Sequence, residues 1–203
     1  MYRLAPSLVR ARTVIDNRWP GRDRASDGWI GDPAHQARTS DHNPNDRGMV
    51  DAIDVDMYGG TTIVHRPSIV AGLMLHPSTE YVIFNRRIFR KADRFRPRVY
   101  TGINPHTGHC HCSISQTVAA EQNSAPWVLL AAFPSWPTLG RGLPATPTQI
   151  RQLQAFLNAC GASLAIDGSF GYATDQAIRN FQRSKGLTVD GVVGYHTRKK
   201  MFS

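Results

Sequence analysis

Apolar positions recur along the chain with two periods, one helical and one of alternation. From Pro6 to Trp19 the residues Leu8, Ala11 and Val14 or Ile15 follow helical spacing, and Ser7 is available as the cap, so the pattern predicts a first helix. Residues 20–49 are rich in Gly, Asp, Asn, Pro and Ser and read as loop. Val50 to Met57 alternates as a strand does, with Ala52, Asp54 and Asp56 on one face and Asp51, Ile53 and Val55 on the other. Pro67 to Leu75 predicts a second helix, and Glu80 to Phe89 a hairpin that turns near Asn85 and Arg86. Residues 109–114 alternate again, which sends His109 and His111 to one face and Cys110 and Cys112 to the other. This order of elements is that of an α+β domain with a small, mainly antiparallel sheet.

Composition changes at residues 116–145, where Pro126, Pro134, Pro137 and Pro144 interrupt the pattern. The apolar run from Trp127 to Phe133 is expected to pack on the first domain, and Pro134 to Ala145 reads as a linker. Thr146, Pro147 and Gln149 then form a capping-box start, Ile150, Leu153, Phe156 and Leu157 an apolar stripe, and Gly161 a stop. Two related octamers follow, DGSFGYAT from Asp167 and DGVVGYHT from Asp190, 23 residues apart. Each is a glycine turn leading into a helix, and Ala177, Ile178 and Phe181 form the inward stripe after the first. The expected organisation is an α+β domain over residues 1–125, a linker over 126–145, and an all-α three-helix module over 146–203.

Charge narrows the partners. A formal net charge of +9 on 203 residues calls for an anionic partner, such as nucleic acid, a membrane surface or a bacterial wall. The basic residues are scattered and form no recognition helix, which argues against nucleic acid. No apolar stretch reaches signal-peptide or membrane-span length, so cytoplasmic synthesis without a standard export signal and no membrane insertion are expected. The three cysteines, Cys110, Cys112 and Cys160, make no disulfide framework and read as free thiols.

The candidate chemistry lies in two histidine-bearing stretches. YTGINPHTGHCHCSIS sets His106, His109 and His111 at HxxHxH spacing, and RTSDHNPNDRGMVDAIDVD offers His42 ahead of an Asp-bearing strand. A zinc site with an open position needs three nitrogen or oxygen ligands, which His42, one Asp and one later His would supply. A buried carboxylate is costly unless paired or metal-bound, and on this ground Asp54 is the ligand choice over Asp51 and Asp56. Arg38 offers a planar fork for a substrate carboxylate or an oxyanion, or else a surface ion pair. His35 and Asp41 are candidates to orient the ligands. His65, His76 and His196 lack such neighbours and are expected at the surface.

Both halves resemble known families. The segment carrying LQAFLNACG, IDGSFGYAT and AIRNFQRSKGLTVDGVVGYHT resembles the peptidoglycan-binding domain 1 family, a three-helix module of cell-wall hydrolases. That resemblance implies attachment to peptidoglycan, with Asp167, Gly168, Gly171, Asp190, Gly191 and Gly194 shaping turns. RTSDHNP, VDAIDVD and GHCHCSIS are similar to the zinc D-Ala-D-Ala carboxypeptidase and L-alanyl-D-glutamate endopeptidase families, which include many phage endolysins. The similarity implies Zn2+ on His42, Asp54 and His111. The insertion NPNDRGMV lengthens the usual His-to-Asp spacing and keeps Asp51 as an alternative to Asp54. Residues 105–110 hold no carboxylate, so His109, or else His106, takes the proton-shuttle role. The implied protein is a monomeric, phage-type endolysin. It resides in the host cytoplasm until lysis and then hydrolyses a stem-peptide or cross-link amide of peptidoglycan. The alternative is a non-catalytic wall-binding protein with a structural or degenerate metal site.

Overall fold

The structure, a computed structural model, describes residues 2–31, 37, 39–130 and 136–203. Strand β1 (Arg3–Leu4) precedes helix α1 (Pro6–Arg18) and pairs in parallel with β2 (Met49–Val50). A five-stranded antiparallel sheet follows, built from β3 (Ala52–Asp56), β4 (Thr79–Phe84), β5 (Arg87–Arg90), β6 (Pro97–Val99) and β7 (His109–Ile114) in the spatial order β3-β7-β4-β5-β6. Helix α2 (Arg66–Leu75) joins β3 to β4, and the short α3 (Val118–Glu121) follows β7. The C-terminal module is α4 (Pro147–Ala159), α5 (Tyr172–Ser184) and α6 (Tyr195–Met201). Mixed α+β architecture with an all-helical module is thus the observed class. None of the described helices is long and apolar enough to cross a membrane.

Alternation divides the sheet between core and site. Ile53, Val55, Val82, Cys110, Cys112 and Ile114 are buried in the core, together with Leu8, Ala11 and Ile15 of α1 and Ile69, Val70 and Leu73 of α2. Asp54, His109, His111 and Ser113 occupy the alternate positions and so face the other way. The β4–β5 hairpin turns on Asn85 and Arg86, both at positive φ (48° and 62°), the twist a two-residue hairpin requires.

Helix α2 buries seven consecutive residues, from Ser68 to Met74. A helix apolar all round needs cover on every side. It packs on the sheet and, on another side, against α4. One continuous buried cluster therefore runs from α1 and the sheet through α2 into Leu153, Phe156 and Leu157 of α4 and Ile178 of α5. Hydrogen bonds reinforce the junction, with the Asn158 side chain donating to the Phe95 carbonyl (3.1 Å) and the Ile166 amide to the Arg94 carbonyl (2.8 Å). Trp127 and Leu130 are buried against the first domain. Within the segment read as linker, Leu139 is fully buried and pairs its backbone with Val193 of the helical module.

Two expectations are corrected. Ser7 does not cap α1: the helix begins at Pro6 with Ala5 at the cap, so Ser7 lies inside the first turn, buried, with its hydroxyl unpartnered. His76 is not a surface residue. It is 3% exposed and stacks on Trp127 with ring centroids 3.7 Å apart, and its Nε2 bonds to the Ala125 carbonyl. His65 is half-buried against Phe156 and Phe202, while His196 is exposed.

The octamer turns are clamped from within. The Gln154 side chain accepts from the Asp167 and Gly168 amides and donates to the Asp167 carboxylate and the Ser169 carbonyl. Gln182 does the same for the second turn, accepting from the Gly191 amide and donating to the Asp190 carboxylate and the Val192 carbonyl. The glycines differ in kind. Gly168 and Gly191 have φ of 81° and 74°, and a Cβ on Gly191 would run into the Asp175 carboxylate. Gly171 and Gly194 have ordinary φ (−92° and −84°) and open space where a Cβ would stand. Gly191→Ala should therefore cost about 2 kcal/mol or more, whereas Gly194→Ala should stay within about 0.5 kcal/mol. Chemical denaturation of the two variants measures the contrast, and equal losses would contradict it.

Candidate metal centre

Register builds the site. In the β3–β7 pairing Asp54 lies directly opposite His111, and His109 opposite Asp56, so two imidazoles and two carboxylates share one face, with Asp56 taken up by Ser26 and the Tyr58 amide. On the outer edge of β3, Gly28 exchanges backbone hydrogen bonds with Asp54. That pairing places the Trp29 carbonyl 3.2 Å from His42 Nδ1. The loop bearing His42 is fixed in turn, since the Gly31 amide donates to the His42 carbonyl (2.9 Å) and the His42 amide to Ser40 Oγ (3.3 Å).

The result is a convergence of lone pairs. His42 Nε2 is 3.1 Å from His111 Nδ1 and 3.3 Å from Asp54 Oδ2, and His111 Nδ1 is 3.0 Å from Asp54 Oδ1. A carbonyl can only accept, so His42 carries its proton on Nδ1 and turns the Nε2 lone pair inward. His111 is held at its other nitrogen by Ser113 Oγ (2.9 Å). Ligands 2.0–2.1 Å from a tetrahedral zinc stand about 3.3 Å apart, and here the two ring nitrogens are 3.1 Å apart, with one Asp54 oxygen 3.0 Å from His111 and the other 3.3 Å from His42. Donor types, spacing and the partners of the outer nitrogens all fit a zinc ion.

Electrostatics agree. Burial pushes the Asp54 carboxyl up, but the hydrogen bonds that His111 and His42 give it when their rings are protonated outweigh burial and hold the group far below the usual carboxylate range. Burial depresses His42, yet Asp54 and the Trp29 carbonyl raise it on balance. His106 is lowered to about 4, by burial first and then by its neighbours His111 and His109. Its Nδ1 donates to the Asn104 carbonyl (2.7 Å), so its Nε2 is an acceptor. The residue is held at φ 50° by an Asn104 side chain that accepts from its amide. His109 Nε2 stands 3.8 Å from Asp54 Oδ1, and Asp54, His106 and His109 form a second set of close donor atoms.

The pocket above these groups is about 250 Å3 in volume and includes Asp41, Tyr81, Tyr100, Ile103 and Asn104. Tyr81 carries no sequence signal. Its register opposite Ser113 brings its ring to 5.4 Å from that of His111, and its hydroxyl donates to Asp41 (2.8 Å). Asp41 thus meets the histidine cluster through Tyr81 and also accepts from Gln116. Trp29 and Ser113, which hold the outer ring nitrogens of His42 and His111, are equally silent in the sequence. Arg38 and His35 lie outside the described residues.

Asp51 belongs elsewhere. It is buried beneath Asn45, whose amide bridges it to Glu121. Desolvation, reinforced by Glu121, raises its carboxyl from 3.8 to about 6. The folded chain then holds a proton that the unfolded chain has lost between those values, so this group makes stability fall as pH rises from about 4 to about 6 and stay lower above. Asp51→Asn should flatten that slope and raise stability at pH 7 by on the order of 1–3 kcal/mol. Denaturation midpoints across pH 4–7 check this, and an unchanged slope would refute it.

Residues 146–201 match the family described as "Putative peptidoglycan binding domain". The chain therefore carries a peptidoglycan-binding domain. Over 56 residues it is 46% identical to the zinc D-Ala-D-Ala carboxypeptidase of Streptomyces albus G, a match that covers only the binding domain and spans 26% of this chain and 22% of the relative. A solved peptidoglycan-binding protein from Clostridioides difficile, in complex with glutamine hydroxamate, aligns with 61% of this chain and 90% of its own at 18% identity and a TM-score of 0.35.

Proposed function

We propose that the chain is a zinc-dependent peptidase of the phage endolysin type, which hydrolyses a stem-peptide or cross-link amide in bacterial peptidoglycan. The observation that carries this reading is the convergence of His42, Asp54 and His111 in one chain with a peptidoglycan-binding domain. On this reading the protein stays in the host cytoplasm until lysis and then acts at the wall.

His42, Asp54 and His111 would hold the zinc, which supplies Lewis-acid activation of water and of the scissile carbonyl. The chain's own groups handle the protons. Water adds to the carbonyl carbon, the C–N bond breaks, and the departing amine must gain a proton. His109, whose Nε2 lies 3.8 Å from Asp54, would take the proton from water and hand it to that amine. His106, neutral at pH 7 with Nε2 as its acceptor, is the second candidate. Tyr81 and Asp41 keep His111 in place.

Digestion of purified peptidoglycan by zinc-loaded, chelator-treated and His111→Ala protein, with mass analysis of the fragments, tests the reading. New amine ends are expected with the zinc-loaded wild type alone. Wall binding without release of fragments would leave a non-catalytic binding protein instead.

A further inference from the structure

We propose that the cleft between the two modules binds an anionic phosphodiester polymer of the wall, a polyol-phosphate or sugar-phosphate chain. The inference rests on the reading that this protein works at the wall, but it makes no use of the metal centre.

The cleft, about 550 Å3, lies where the end of α1 and the start of α2 meet α5 and α6. Arg18, Arg66, Lys185 and Lys200 line it, and among the described residues no Asp or Glu does. All four cations are exposed. The lysine and arginine ion pairs of the described residues lie elsewhere, on Arg22, Arg24, Arg47, Arg98 and Arg179. Three of the cleft cations rest over aromatic rings, Arg18 on Trp19 (5.9 Å), Arg66 on Tyr58 (4.6 Å) and Lys185 on Phe181 (5.8 Å). Such contacts favour defined positions for the charges.

Shape and lining select the occupant. A concave cleft between two modules admits a single chain and excludes a planar bilayer. Trp19 and Phe181 are each only 7% exposed and the partly buried His65 and Phe202 rings pack on each other, which leaves little open aromatic face for bases to stack on and disfavours single-stranded nucleic acid. Ile63, 89% exposed, adds apolar surface at the cleft, suited to the CH-rich stretches between phosphates. Lys185 and Lys200 belong to the peptidoglycan-binding domain, whereas Arg18 and Arg66 do not, so the site exists only in the joined chain.

The test titrates the full chain with soluble poly(glycerol phosphate) and sediments it with wall sacculi before and after hydrofluoric acid removes the phosphodiesters. The wild type is compared with Lys185→Glu/Lys200→Glu and with Arg90→Glu/Arg96→Glu, a control that reverses two exposed charges outside the cleft. The cleft pair should weaken polymer binding by at least about tenfold, with the control close to wild type. Stripped sacculi should bind wild type and cleft variant alike. Equal losses in both variants would reduce the effect to diffuse charge and overturn the proposal. So would tighter binding to phosphatidylglycerol vesicles or to oligothymidylate than to the polymer. Undiminished wild-type binding to stripped sacculi would sink the cleft and leave the wall reading intact. Cleft-dependent binding of soluble polymer with no binding to any sacculi would do the reverse.

Discussion

Asp54→Ala protein is expected to retain less than roughly a tenth of the wild-type zinc, and its release of peptidoglycan fragments should fall by about three orders of magnitude. The expectation follows from the position of Asp54 in the cluster. Its two carboxylate oxygens reach His42 on one side and His111 on the other, and its hydrogen bond and charge do most to raise His42 against the pull of burial. Removing it leaves two facing nitrogens 3.1 Å apart with no anion between them. His109→Ala supplies the contrast. If His109 carries protons and does not hold metal, that variant should keep its zinc and lose about 10²–10⁴ in rate. Metal analysis beside fragment release separates the two roles. Full zinc occupancy in Asp54→Ala would rule out the ligand set.

Gln154→Ala should be the most destabilising polar substitution in the helical module, at about 3–5 kcal/mol. The truncation deprives the Asp167 and Gly168 amides of their acceptor inside a closed turn, and it removes the hydrogen bonds donated to Asp167, Ser169 and Thr174 as well. Gln182→Ala strands only the Gly191 amide and should cost somewhat less. Because α4 shares a core with α2, the loss should appear in one thermal transition of the whole chain. Two separate transitions, with only one of them shifted, would show that the shared core does not couple the modules.

Local chemistry accounts for what could be read from the sequence. The Thr146–Gln149 capping box, the hairpin turning on Asn85 and Arg86, and the alternation of His109 and His111 with Cys110 and Cys112 need only neighbours in the chain, and each occurs as read. What escaped depends on distant register. Tyr81 and Trp29 approach the histidines because strands and loop edges pair, and no spacing announces them. The glutamine clamps were hidden because Gln154 precedes its turn by 13 residues and Gln182 by 8, so the internal repeat does not align them. The docking of the modules did leave a trace: PSIVAGLML is too evenly apolar for a helix covered on one side only.

That docking bears on how the protein would work on a solid substrate. A wall-binding module on a loose leash lets an active site sweep a sphere of neighbouring bonds during one anchoring event. Here the buried junction through α2 and α4 fixes anchor and metal centre at one offset, as the jaws of a caliper are fixed once locked. If the chain is the peptidase proposed above, each landing would address a single spot on the mesh, and the next cut would await release and re-landing. On such a template the rate at which the anchor lets go would set the pace of digestion, and an anchor of higher affinity would slow the protein down.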